Sequence, residues 1–217
     1  LAASIGGLLA VAVVARTAQH HGRSEVVTLI LVGVAVMTFT TAALGIIISV
    51  NDSAQVRSLT FWSTGSFALA NWAGVVSVAP FVLVGLMLAA AVARPLNVLS
   101  LGDRAAASVG IRVTRTRELA MVAVVLLVAA GVAVVGVIAF VGLLIPHIIR
   151  RIIGPAHGPL LVVSALAGAL LLVVADTIAR TVANPIEIPI GAITTLIGAP
   201  VLFALIWRNR AKAGGWT

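Results

Sequence analysis

The sequence predicts an all-α polytopic membrane protein, and three observations carry that expectation. Only 9% of the residues are charged while 61% are hydrophobic; a soluble domain carries about 25% charged residues to cover its surface. Uncharged runs cover Leu1–Ala15, Val26–Val50, Ser58–Ala93, Leu119–Ile149, Ile152–Ala175 and Ile188–Trp207, and a spanning helix needs roughly 20 apolar residues. The basic residues behind the net charge of +8 gather at the ends of those runs, which marks topology and not a nucleic-acid face. Strands of the alternating barrel type are absent from the pattern, and bare backbone in lipid is satisfied most simply by helices. The lack of cysteine excludes disulfides, thiol chemistry and cysteine metal sites.

The elements follow in order as one transmembrane domain over residues 1–217. The opening run at Leu1 has no basic segment before it, so it reads as the remainder of a truncated span and not as a signal peptide. A cytoplasmic loop with His20 and His21, Arg16–Glu25, leads to a span over Val26–Val50. An outer loop, Asn51–Thr60, precedes Phe61–Asn71, expected as a short helix on the outer surface because Trp62 and Trp72 suit the interface. The next span, Trp72–Ala93, returns to the cytoplasm.

Leu119–Ile149 is long enough to hide a break, and the charges locate it. Taken as one span, it divides the basic residues eight against six across the membrane. Broken near Gly136–Gly142, with a short segment Phe140–Ile149 returning, it leaves only Arg57 and Arg180 outside. The positive-inside rule selects the broken version. Irregular backbone at membrane depth is tolerated where it is buried in protein or lines a cavity, and short Gly/Pro-interrupted segments point to transport pathways. A turn, Gly154–Pro159, then precedes a span from Leu160 to about Ile178, an outer loop, and a last span ending at Trp207 before a cytoplasmic tail.

Between the oily runs lies a charged island, Arg94–Arg117, with five of the 14 basic residues. Within it Asp103, Ala106 and Gly110 fall at helical spacing, so small residues would let a short helix approach a partner closely. Arg112, Arg115 and Arg117 suit acidic groups on that partner or anionic lipid. An ordinary solvated loop is the bland alternative. The chain has no Gly-rich Lys-Ser/Thr phosphate loop, so ATP hydrolysis would come from another subunit.

Five stretches together resemble the permease family of ATP-binding-cassette importers for iron–siderophores, haem and vitamin B12. They are Trp62–Phe67, Pro95–Gly110, Ala139–Arg150, Ala175–Arg180 and Glu187–Pro200. The resemblance implies about seven of the family's ten spans, without the amino-terminal ones, in a bacterial inner-membrane subunit that is not itself an enzyme. It also implies a second permease chain, two cytoplasmic ATPase subunits and an extracytoplasmic solute-binding protein, with no cofactor. The cargo expected first is a ferric siderophore, ahead of haem or cobalamin.

Carried onto this sequence, the resemblance places ATPase coupling on Leu101, Gly102, Asp103, Arg104, Ala106, Gly110 and Arg112, with Arg104 departing from the acidic or small residue common there. It places binding-protein docking on Arg180, with Arg57 a second candidate; a local i,i+4 pair with Asp176 is the simpler reading of Arg180. Pathway candidates are Thr38, Thr41 and Ser49, the segment Phe140–Gly142, and Thr194 and Thr195. Hydroxyls bonded to their own helix are the alternative for the threonines. His147 has no partner ligands at metal-binding spacing and is expected to make structural hydrogen bonds or to pack at the cytoplasmic end, while Glu187 is expected as a loop or helix-start residue placed to cap the last span. An ion-coupled secondary transporter is the rival class, and would need an ionisable relay at membrane depth.

Overall fold

The computed structural model describes residues 6, 19–20, 23–24, 26–50, 62–68, 70–182 and 188–213. The helices expected from Val26 to Val50 and from Trp72 onward are present: α1 Val26–Val50, α2 Trp72–Leu99, α3 Asp103–Ser108, α4 Val113–Val135, α5 Val141–Ile153, α6 His157–Val182 and α7 Ile190–Ala213. The truncated first span expected over Leu1–Ala15 lies, but for Gly6, outside the described residues. Among the described residues four helices are long and apolar enough to cross a membrane, within α1, α2, α4 and α6. The loop before α1 adds a small ladder that was not foreseen, Gln19–His20 antiparallel to Arg23–Ser24. Arg57 and Glu187 lie outside the described residues.

Three helix ends differ from expectation. Helix α2 runs on past Ala93 to Leu99, through Pro80 and Pro95, so the first residues of the island are its last turns. Its start is fixed by Asn71, whose side chain accepts the Gly74 N–H at 2.8 Å, a side-chain N-cap. Helix α7 continues beyond Trp207 to Ala213. Helix α6 begins at His157, before the expected Leu160.

Small residues bring the helices together. Helix α2 packs on α4 and α6, and α6 packs on α5 and α7. At the α2–α4 contact Gly85 leaves room for Leu127: a Cβ there would lie 2.8 Å from its Cγ. Ala89, Val92 and Ala93 are buried with Ala123, Ala129 and Ala130 of α4. Lipid chains are as apolar as leucine, so close backbone approach and dispersion hold such helices. Helix α1 buries none of its described residues 31–50.

The break is real. Helix α4 stops at Gly136, and α5, only 13 residues long, starts after the irregular residues 136–140. Thirteen residues rise about 20 Å, short of the hydrocarbon thickness of about 30 Å, so α5 does not cross a membrane by itself. The Asn97 side chain near the end of α2 also contacts His157 at the start of α6. Those two residues therefore share one end of the bundle, which a continuous Leu119–Ile149 span would forbid.

Candidate functional site: the helix break and the cytoplasmic loop

The backbone groups freed by the break are met by residues 62–66. Trp62 to Thr64 form one helical turn. The Ser66 N–H donates to the Val135 carbonyl at 2.9 Å, the Val137 N–H to the Trp62 carbonyl at 3.3 Å, and the Gly191 N–H to the Gly65 carbonyl at 3.3 Å. This segment was expected as a short helix over Phe61–Asn71; among its described residues only Trp62–Thr64 are helical, and the backbone there pairs with the break while Trp62 stays 40% exposed. The physical reason is that backbone groups freed by an irregular segment need protein partners.

Glycine permits the crossing. A Cβ on Gly136 (φ 76°) or on Gly191 would run into the Trp62 or Thr64 carbonyl, respectively, and one on Gly65 (φ 71°) would lie 2.5 Å from the Val137 carbonyl oxygen. Three chain segments thus meet with backbone against backbone. Beside them, Ala175 and Ala179 of α6 form a buried cluster with Ile190, against which Phe67 packs.

An open cleft of about 450 Å³ borders this junction, lined by Ser63, Thr64, Val137, Ala139, Gly191, Ala192, Thr195 and Leu196. Of the expected pathway residues only Thr195 lines it. Phe140 and Thr194 instead border a small apolar void of about 30 Å³ on the core side, with Leu144, Leu171 and Ala175. Phe140 adopts φ 67°, unusual for a bulky residue, and lies against α7 where Gly198 leaves space: a Cβ there would be 2.6 Å from the Phe140 Cβ. Gly142 is exposed with open space around it.

The hydroxyls on α1 are occupied by their own helix. Thr38 donates to Val34 at 2.9 Å, Thr41 to Met37 at 2.9 Å and Ser49 to Ile46 at 2.9 Å. Thr194 donates to the Gly191 carbonyl at 3.1 Å. Each satisfies itself locally, the usual behaviour of hydroxyls in apolar helices.

At the opposite end, helix α3 occupies only six residues of the island. Gly102 (φ 108°) and Gly110 (φ 83°) frame it with backbone that favours glycine. The expected common face does not form. Gly110 lies beyond the helix, and Ala106 is fully buried against its own chain. The loop's outward apolar residues are Leu101 and Val109, 75% and 67% exposed. Val109 was missed because it is neither charged nor small. Asp103 accepts from Arg117 Nη2 at 2.9 Å, so that pair ties α3 to α4, and Arg117 is engaged within the chain. Arg104 and Arg112 are exposed.

Arg180 Nε donates to Asp176 Oδ2 at 2.8 Å, and the arginine side chain remains 59% exposed. The pair sits in the last turns of α6 with the cation nearer the C-terminus, the favourable order for the helix dipole. The His147 Nε2 is buried with no hydrogen-bond partner among the described residues, so the expected structural bond is not made at that atom.

The family described as the FecCD transport family matches residues 1–208. The chain is 38% identical over 209 residues to the hemin transport system permease protein HmuU of Yersinia pestis, covering 96% of this chain and 63% of that protein. It is 39% identical to the cobalamin import system permease protein BtuC of Halobacterium salinarum, covering 98% of this chain and 57% of the relative. The Fe(3+) dicitrate transport system permease protein FecD of Escherichia coli is 38% identical, with 97% and 65% covered. A solved inward-facing structure of a metal-chelate type ABC transporter superposes with a TM-score of 0.76 at 34% identity, over 85% of this chain and 60% of that one. The chain spans about three-fifths of the length of these relatives.

Proposed function

The chain belongs to the FecCD transport family, and we propose that it forms the translocation pathway of an ATP-driven importer in the bacterial inner membrane. In this reading α3 and its flanking residues seat in a groove on a cytoplasmic ATPase. The observation that carries it is the pair of exposed apolar residues, Leu101 and Val109, on a water-facing loop beside a short buried-face helix. Exposed apolar side chains grouped on a polar loop mark a protein contact. Closure of the ATPase would tilt the helices that α3 joins, a two-state change biased by nucleotide.

Cargo would pass along the cleft at the break, where hydroxyls and peptide groups line an otherwise apolar wall. That surface suits a chelate already wrapped by its ligand. The chelate we assign is a ferric siderophore; relatives named for hemin, cobalamin and iron citrate support a metal chelate as the broader class. A second copy of the permease would complete the pathway, and Arg180 would receive an acidic residue of a solute-binding protein.

The reading is tested with the full-length permease reconstituted with its ATPase and binding protein in proteoliposomes. Uptake of a ferric siderophore should require ATP and persist when ion gradients are collapsed. Uptake of haem or cobalamin in its place would correct the cargo; uptake driven by an ion gradient without ATP would overturn the importer assignment.

A further inference from the structure

We propose that Asn97 is the positioning residue that transmits motion of the cytoplasmic loop to the α5–α6 hairpin, and so to the break. The inference rests on the importer reading above. Asn97 lies in the last turns of α2, three residues before the loop that leads into α3. Its Oδ1 accepts the backbone N–H of His157 at 2.8 Å and faces the His157 Nδ1 at 2.7 Å. An amide oxygen only accepts. The backbone N–H fixes that oxygen's orientation, so Nδ1 carries a hydrogen and the contact is two-pronged.

Three features make this contact a transmission point. It caps the first turn of α6 from a different helix, satisfying a donor that the helix itself leaves bare. It is part-buried, where a lost hydrogen bond costs more than at the surface. It also sits between two tied ends. On one side, α3 is bound to α4 through Asp103 and Arg117. On the other, the turn Gly154–Ala156 joins α6 to α5, whose far end begins at Phe140 in the break. A push on α3 therefore reaches α5 by way of Asn97 and His157 without passing through lipid.

The test uses the assembled importer and reads how far cargo-loaded binding protein stimulates ATP hydrolysis. Asn97→Leu keeps the branching of the side chain and removes the acceptor. It should retain ATPase association and unstimulated hydrolysis, while stimulation and uptake fall roughly five- to tenfold. Asn97→Asp keeps an oxygen for both donors, beside a helix N-terminus that favours negative charge, and should restore coupling. His157→Ala removes only the ring bond and should give a smaller loss.

Stimulation of Asn97→Leu within about twofold of native, or an Asn97→Asp variant as defective as Asn97→Leu, would overturn the assignment. So would loss of ATPase association in Asn97→Leu, because Asn97 would then act by placing the docking loop. If Asn97→Leu fails to insert, His157→Ala decides: weakened stimulation with native association supports the link, and native stimulation refutes it. A native complex that neither binds ATPase nor hydrolyses ATP removes the importer reading and the link with it, an outcome distinct from an uncoupled variant.

Discussion

Gly136 lies directly beneath the Trp62 carbonyl, and the same carbonyl accepts the N–H of the following residue, Val137, at 3.3 Å. Nothing larger than hydrogen fits between the two segments. The break in the α4–α5 pair therefore depends on a glycine for both its dihedral and its clearance.

Gly136→Ala should be severely destabilising, by roughly 3 kcal/mol or more, because a left-handed dihedral and a backbone collision are imposed together. Gly131→Ala, on the same helix with open space around it, should change stability by no more than about 1 kcal/mol and in the favourable direction. Thermal unfolding of the detergent-solubilised protein, followed by size-exclusion profile, separates the two.

Gly198 and Phe140 form a second dependent pair. Gly198→Ala should cost about 1–3 kcal/mol, since the added methyl meets the Phe140 Cβ. Phe140→Gly relieves the left-handed backbone but empties the apolar site between α5 and α7. In the double variant the two costs should be less than additive, and a double-mutant cycle measures the shortfall. Strict additivity would show that the residues do not press on one another.

Thr38→Val and Thr41→Val should leave uptake unchanged, because both hydroxyls are bonded to α1's own carbonyls. Thr195→Trp, in the wall of the open cleft, should block it while leaving ATPase association intact. Reversed results from the uptake assay would return the pathway to α1.

Arg180→Glu should abolish capture of the cargo-loaded binding protein, measured by its retention on immobilised permease. Asp176→Asn should weaken it only a fewfold, because the pair orients an arginine that is largely exposed, and exposed pairs contribute about 1 kcal/mol or less. Equal retention by the native and Arg180→Glu proteins would leave Asp176–Arg180 as a helix-end pair and nothing more.

Charge made the break legible in the sequence. The basic residues record which side each loop occupies, and only a return at Gly136–Gly142 puts Arg150 and Arg151 with the rest. The Asn97–His157 contact verifies that parity. What the sequence left hidden is the facing of side chains once helices cross. Phe140 and Thr194 turn towards the core while Ala139 and Thr195, their neighbours, line the cleft. No one-dimensional pattern separates adjacent residues at an irregular crossing. Trp62 is exposed, as an interfacial tryptophan would be, but nothing in its identity told that its backbone carbonyl pairs with Val137; Gly65, three residues on, was the available hint. The span was expected to end at Ala93 because the uncharged run stops at Arg94; the helix continues past that charge, through Pro95, to Leu99. At the island, spacing put Gly110 on a helix that its positive φ ends.

The most direct test of the central claim is co-purification of the full-length permease with its ATPase subunits, comparing native protein with Val109→Asp and Leu101→Asp. Both side chains project from the loop and are exposed, so a carboxylate at either position should leave membrane insertion and thermal stability intact, within about 0.5 kcal/mol. Burying that charge in an apolar groove should cost several kcal/mol. Native protein should therefore retain the ATPase and both variants should lose it. Retention by the variants at the native level would contradict docking through this loop, and failure of the native protein to retain the ATPase would contradict the assignment of the chain as an ATP-driven permease.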